Sequence, residues 1–140
     1  MISQAGFVQS SGPDHILGNW LSQDGSAKMK IEKSGGKNFG KMIWIKNTNH
    51  KNGRTLMDSI YPDKSLQSRP QLGLSLLSNF VYDGDHVWTD GTIYDPDSGK
   101  TYSCKITLKN NRKMEVRVYV GISLFGRTDT WQRVDDLSLN

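Results

Sequence analysis

The sequence predicts an all-β domain of eight short antiparallel strands, joined in up-and-down order and closed into a barrel. Three observations carry this expectation. Strand-length segments alternate: Tyr102, Cys104, Ile106 and Leu108 share one face, and Thr101, Ser103, Lys105 and Thr107 the other. That period of two places successive side chains on opposite sides of a sheet. Tight segments rich in Gly, Asn, Asp and Pro separate these runs, and no stretch keeps a helical period. Eight strands in meander order leave two raw edges unless the first pairs with the last, so closure follows.

In chain order the expected strands are Ile16–Ser22, Ala27–Lys33, Asn38–Lys46, Gly73–Tyr82, His86–Asp95, Thr101–Leu108, Met114–Gly121 and Gly126–Val134. Most connections are hairpins, marked by Asp24-Gly25, Gly35-Gly36, Asp83-Gly84, Pro96-Asp97-Ser98-Gly99 and Asn110-Asn111. Glycine and asparagine supply the positive φ that such turns require. One connection differs. Residues 47–72 are too long for a hairpin and read as a lid over one barrel end, with a short helical turn over Ser65–Pro70. The domain is expected to run over residues 15–136, preceded by a flexible segment (1–14) and followed by a short tail (137–140).

Composition narrows the function classes. The chain has 140 residues, enough for one domain with a core, and 35% are hydrophobic. No run approaches the ~18 apolar residues of a membrane helix. The first twelve residues lack a basic start followed by an apolar stretch, so they read as carrying no export signal, which leaves a cytosolic or a processed protein. A lone Cys104 forms no internal disulfide and reads as a small buried side chain. The net charge is +4 and unevenly placed: eight Lys/Arg stand against Glu32 alone between Lys28 and Arg54. That basic stretch is either a solvated outer wall or a face for a polyanion or protein partner. Nucleic acid is the disfavoured polyanion, because no aromatic platform accompanies the charge.

Catalytic and metal patterns are missing. His15, His50 and His86 lack metal-ligand spacing, one cysteine adds no zinc pattern, and no nucleophile elbow or phosphate-cradling loop occurs. No cofactor and no enzymatic activity are expected.

Gly18-Asn19-Trp20 opens the first strand, and Trp131-Gln132-Arg133 ends the last. Closure makes these strands neighbours and brings Arg133 over the Trp20 ring, a structural contact worth roughly 0.5–2 kcal/mol. Gly18, Trp20 and Arg133 are therefore assigned to barrel closure, a pairing that resembles the calycin signature.

A more specific resemblance spans nearly the whole chain. It runs through Gly18-x-Trp20, Asp24-Gly25, Phe39-Gly40-Lys41, Leu66-x-x-Arg69-Pro70-x-Leu72-Gly73 and Gly91-x-Ile93-Tyr94-Asp95-Pro96. It continues through Gly99-Lys100-Thr101-Tyr102, Arg117-x-Tyr119-x-Gly121 and Phe125-Gly126-Arg127-Thr128-x-x-Trp131. Together these resemble a bacterial family of small, usually exported, lipocalin-like proteins classed as a domain of unknown function. The chain departs from that pattern at Ile60-Tyr61-Pro62-Asp63, where the family favours Asn-Pro-Asp, and at Val118, where glycine is common. The resemblance implies a lipocalin-like barrel, a periplasmic or secreted location, and a ligand without an assigned identity.

The interior of such a barrel points to a small-molecule carrier, with an anionic or amphipathic ligand as the first expectation. Seven residues are candidates for it: Trp44, Arg69, Tyr94, Asp95, Tyr102, Arg117 and Tyr119. The arginines would meet an anionic head, the tyrosines would hydrogen-bond, and the aromatic rings would cover an apolar tail. Each has a plainer alternative. Asp95 precedes Pro96 and suits a turn that bonds its own backbone. Trp44, like Trp88, serves either the core or a ligand wall. Arg117 and Tyr119 alternate with Val116 and Val118, so the arginine enters the lumen only if the valines face out.

Overall fold

The computed structural model describes residues 12–46, 70–96, 98–121 and 126–135. The strands are β1 (Gly18–Leu21), β2 (Ala27–Ser34), β3 (Lys37–Ile45), β4 (Ser75–Tyr82), β5 (Val87–Asp95), β6 (Lys100–Asn110), β7 (Lys113–Tyr119) and β8 (Gly126–Val134). Each pairs antiparallel with the next, and β1 pairs with β8 to close the barrel. No helix among the described residues is long and apolar enough to cross a membrane. The expected lid, its helical turn, Arg69 and both chain ends fall largely or wholly outside the described residues.

Alternation decides what fills the lumen. Ala27, Met29 and Ile31 on β2, Cys104, Ile106 and Leu108 on β6, and Met114, Val116 and Val118 on β7 are all buried, while their strand neighbours mostly reach solvent. The first strand is shorter than expected at its start. Ile16 and Leu17 precede it in a tight turn that follows a 3-10 turn over Gly12–Asp14, with Leu17 N–H donating to the Asp14 carbonyl at 3.1 Å. This segment folds across one end of the barrel, and Ile16 is fully buried there.

Arg133 fastens that end. Its guanidinium donates to the carbonyls of Leu17 (2.7 Å), His15 (2.6 Å) and Asn111 (2.8 Å). It also lies 4.4 Å from the centroid of the Trp20 ring, whose Nε1–H donates to the Ile16 carbonyl at 2.9 Å. Gly18 has φ +121°, and a Cβ there would stand 3.1 Å from Arg133 Nη1. Both the backbone angle and the guanidinium therefore call for glycine. Trp88 Nε1–H donates to the Pro13 carbonyl at 3.3 Å, and Lys33 pairs with Asp14, which ties the cap to the wall.

Above this cap large lumen residues are set tightly against small ones. A Cβ on Gly40 would stand 2.8 Å from Leu77 Cδ1, and one on Gly91 would stand 2.3 Å from the Phe80 ring. The ring reaches Gly91 because both strands kink together. Asn79 (φ 68°) and Asp90 (φ 63°) lie between the regular pairs Ser78–Thr92 and Val81–Thr89. Asn and Asp tolerate this left-handed geometry better than other non-glycine residues, and the register is the same on both sides of the kink.

Candidate functional site

Among the described residues the opposite end of the barrel has no such cap. There the β1–β2 turn, the β5–β6 hairpin and the ends of β7 and β8 surround a cavity of about 670 Å³. Its floor is apolar: Ala27, Met29, Leu76, Ile93, Val118 and Trp131. Its mouth is polar and aromatic: Ser22, Gln23, Asp24, Ser26, Tyr94, Asp95, Tyr102, Tyr119, Arg127 and Asp129. A volume of this size suits one small molecule.

Local bonding holds the mouth in shape. The Asp24 carboxylate accepts from Ser26 Oγ (2.7 Å), Ser26 N–H (3.0 Å) and Ser22 Oγ (3.0 Å). These bonds, those from Ser26 first, hold its carboxyl below the usual range, since each favours the charged form. Gln23 Oε1 accepts the Thr130 N–H at 2.6 Å, which pins the β1–β2 turn to β8 at the seam of the barrel.

The last strand supplies the charge. Arg127 pairs in register with Val118, Asp129 with Val116 and Trp131 with Met114. All three partners are buried in the lumen, so Arg127, Asp129 and Trp131 form a column on the inner face, running from the mouth inward. Arg127 Nε lies 3.5 Å from Asp129 Oδ2; the arginine side chain is 74% exposed and the aspartate 27%. Cys104 lies buried on the neighbouring wall. Its thiol is pushed up to about 12, chiefly by burial and secondarily by the Asp129 charge, against the opposing effect of the Lys105 backbone N–H.

Of the seven ligand candidates, Tyr94, Asp95, Tyr102 and Tyr119 line the cavity. Arg117 does not. Val116 and Val118 take the inner face of β7, so Arg117 lies on the outer wall and donates from Nη1 to Thr128 Oγ1 at 3.2 Å. Trp44 is also outside. An extra residue in β3 lets Met42 face Met29 while Trp44 faces Lys28, whose Nζ sits 5.1 Å from the indole centroid. Met29 points inward, so its neighbour Lys28 and that lysine's partner Trp44 point outward. Arg69 lies outside the described residues. On the basic outer face, Lys30 and Lys41 both reach Glu32, at 3.7 and 3.5 Å.

Sequence reasoning missed Gln23, Asp24, Asp129 and Trp131 as cavity residues. The signal for the last two was available. With Arg133 placed inward against Trp20, a period of two along β8 puts Trp131, Asp129 and Arg127 on the same face. Among the described residues no group of three His, Cys, Asp or Glu side chains could hold a metal ion.

Residues 18–133 match the family described as "Uncharacterized protein conserved in bacteria (DUF2147)". The chain belongs to this family. Among solved structures, this chain is similar to protein HP1028 from Helicobacter pylori, described as belonging to the lipocalin family. The TM-score is 0.76 at 22% identity, over 91% of this chain and 86% of that one, a likeness that speaks for the fold. No curated protein gave a significant match. The barrel of this DUF2147 protein is thus lipocalin-like, an architecture suited in general to holding a small molecule.

Proposed function

We propose that this DUF2147 barrel is an exported carrier or sensor that binds one small amphipathic molecule in its open half and catalyses no reaction. The cavity of about 670 Å³ carries this reading, because its floor is apolar while its mouth is ringed by tyrosines and carboxylates. An apolar body would sink onto Met29, Leu76, Val118 and Trp131, and a polar end would stay among Tyr94, Tyr102, Tyr119 and Asp95. Export is supported by the family resemblance and is compatible with a single buried thiol. Binding of a polyanion to the basic outer wall has less support, since Lys30, Lys33 and Lys41 are already in ion pairs.

Native mass spectrometry of the purified protein tests the carrier reading. A stoichiometric small adduct, released on denaturation, is the expected result. An apo mass, together with no binding of the neutral apolar dye Nile red, would overturn it.

A further inference from the structure

The carrier reading leaves the ligand's charge open, and the inner column of β8 addresses it. Asp129 is the charged group set furthest inward along that column, between Arg127 and Trp131. Its register partner Val116 is buried in the lumen, so the carboxylate belongs to the inner face. Its ion-pair partner, Arg127, stands 3.5 Å away with a side chain 74% exposed. Pairs with so exposed a member hold weakly.

A ligand that fills the cavity strips water from Asp129. A carboxylate losing its water needs a cation close by. Arg127 meets that need only by folding inward, into the space a ligand would take and at the expense of its side-chain freedom. A positive group on the ligand meets it directly, and the rings of Trp131 and Tyr102 on the same cavity wall favour a cation as well. An anionic head at that depth would face a like charge. Asp24 is not on that column: it stands in the β1–β2 turn at the mouth, where its Oδ1 accepts from Ser22 and Ser26.

We propose that the cavity selects a cationic amphiphile, an organic amine with an apolar body, whose ammonium displaces Arg127 from Asp129. The proposal rests on the carrier reading and deepens it.

Displacement of bound Nile red by octylammonium, octanoate and 1-octanol at neutral pH provides the test. Octylammonium is expected to compete at a concentration at least tenfold below that of octanoate. Asp129→Asn, which keeps the side chain's shape, should erase that gap and leave octanol unchanged. Arg127→Gln removes the internal competitor and should strengthen octylammonium several-fold. Equal potency of the three probes, a preference for octanoate, or an Asp129→Asn variant that retains the gap would each overturn the cationic assignment while leaving the carrier standing. An apo mass in native mass spectrometry together with failure of the wild-type protein to bind Nile red would remove both.

Discussion

Replacing Arg133 with methionine should cost the barrel much of its stability and none of its ligand selectivity. The substitution keeps an apolar stem against Trp20 and deletes the guanidinium. What is lost is three charge-assisted hydrogen bonds of 2.6–2.8 Å to the carbonyls of His15, Leu17 and Asn111, and the contact 4.4 Å from the Trp20 centroid. Hydrogen bonds to charged groups are worth about 1.5–3 kcal/mol each, and a cation–π contact about 0.5–2 kcal/mol. These contributions share one half-buried side chain, so they do not add in full. Burial and the nearby Arg112 charge also lower the guanidinium's hold on its proton, which offsets part of the gain. A net loss of about 3–5 kcal/mol follows, or on the order of 10–20 °C in Tm for a domain of this size. Urea and thermal melts followed by far-ultraviolet circular dichroism measure it. Nile red displacement, run well below the variant's midpoint, should give wild-type values because the cavity lies at the other end. A stability loss under about 1 kcal/mol would refute the idea that Arg133 fastens the cap. Normal stability with impaired binding would show that the two ends are not separate.

Two further outcomes follow from the packed half. Gly91→Ala puts a methyl 2.3 Å from the Phe80 ring and should cost about 1–3 kcal/mol, with partial rescue by a second change, Phe80→Leu. Cys104 should resist a thiol reagent at pH 8 until denaturant is added, since the side chain is fully buried and its thiol is pushed up to about 12. The same shift has a pH consequence. The folded thiol holds its proton above the ordinary value of 9.0, so its stabilising contribution is complete below pH 9 and is lost as the pH rises toward 12. Cys104→Ala should flatten that alkaline decline relative to the wild type, and an unchanged slope would contradict the burial argument.

The fold was legible because its signals are local and repeated. Alternation on β6 and β7, and the Gly, Asn and Asp turns between strands, determine strand identity and antiparallel order together. The last strand was read with its observed limits, Gly126–Val134. The sites of disagreement are those where one residue alters the phase. The bulge opposite Lys28 turns Trp44 outward, and nothing in Met42-Ile43-Trp44-Ile45 announces an inserted residue. Arg117 was undecidable from its own strand, because alternation gives two faces without saying which is inner. The answer lay on a neighbouring strand: Cys104 pairs with Val118, and Ile106 with Val116, so an apolar β6 face carries the valines inward. Asp129 and Trp131 were missed for a related reason. Attention to arginines on their own strands overlooked the column that Arg133 implies along β8.

The division between a packed half and an open half makes opposite demands on the same kind of substitution. Ala27 lies on the floor of the open half, with its methyl facing about 670 Å³ of cavity. Ala27→Trp adds a large ring to space that holds no side chain of the described residues, so it forces no overpacking against them and buries new apolar surface. Stability should stay within about 1 kcal/mol of the wild type, or rise. Gly40→Leu adds a smaller side chain to the other half, where even a Cβ stands 2.8 Å from Leu77 Cδ1, and should unfold a large fraction of the protein. Binding separates them in the reverse sense. Ala27→Trp should abolish Nile red binding in a fully folded barrel, because the indole occupies the ligand's place. Melting curves and dye titrations on the two variants decide the matter together. A folded Ala27→Trp protein that still bound the dye with wild-type affinity would move the ligand site out of the lumen.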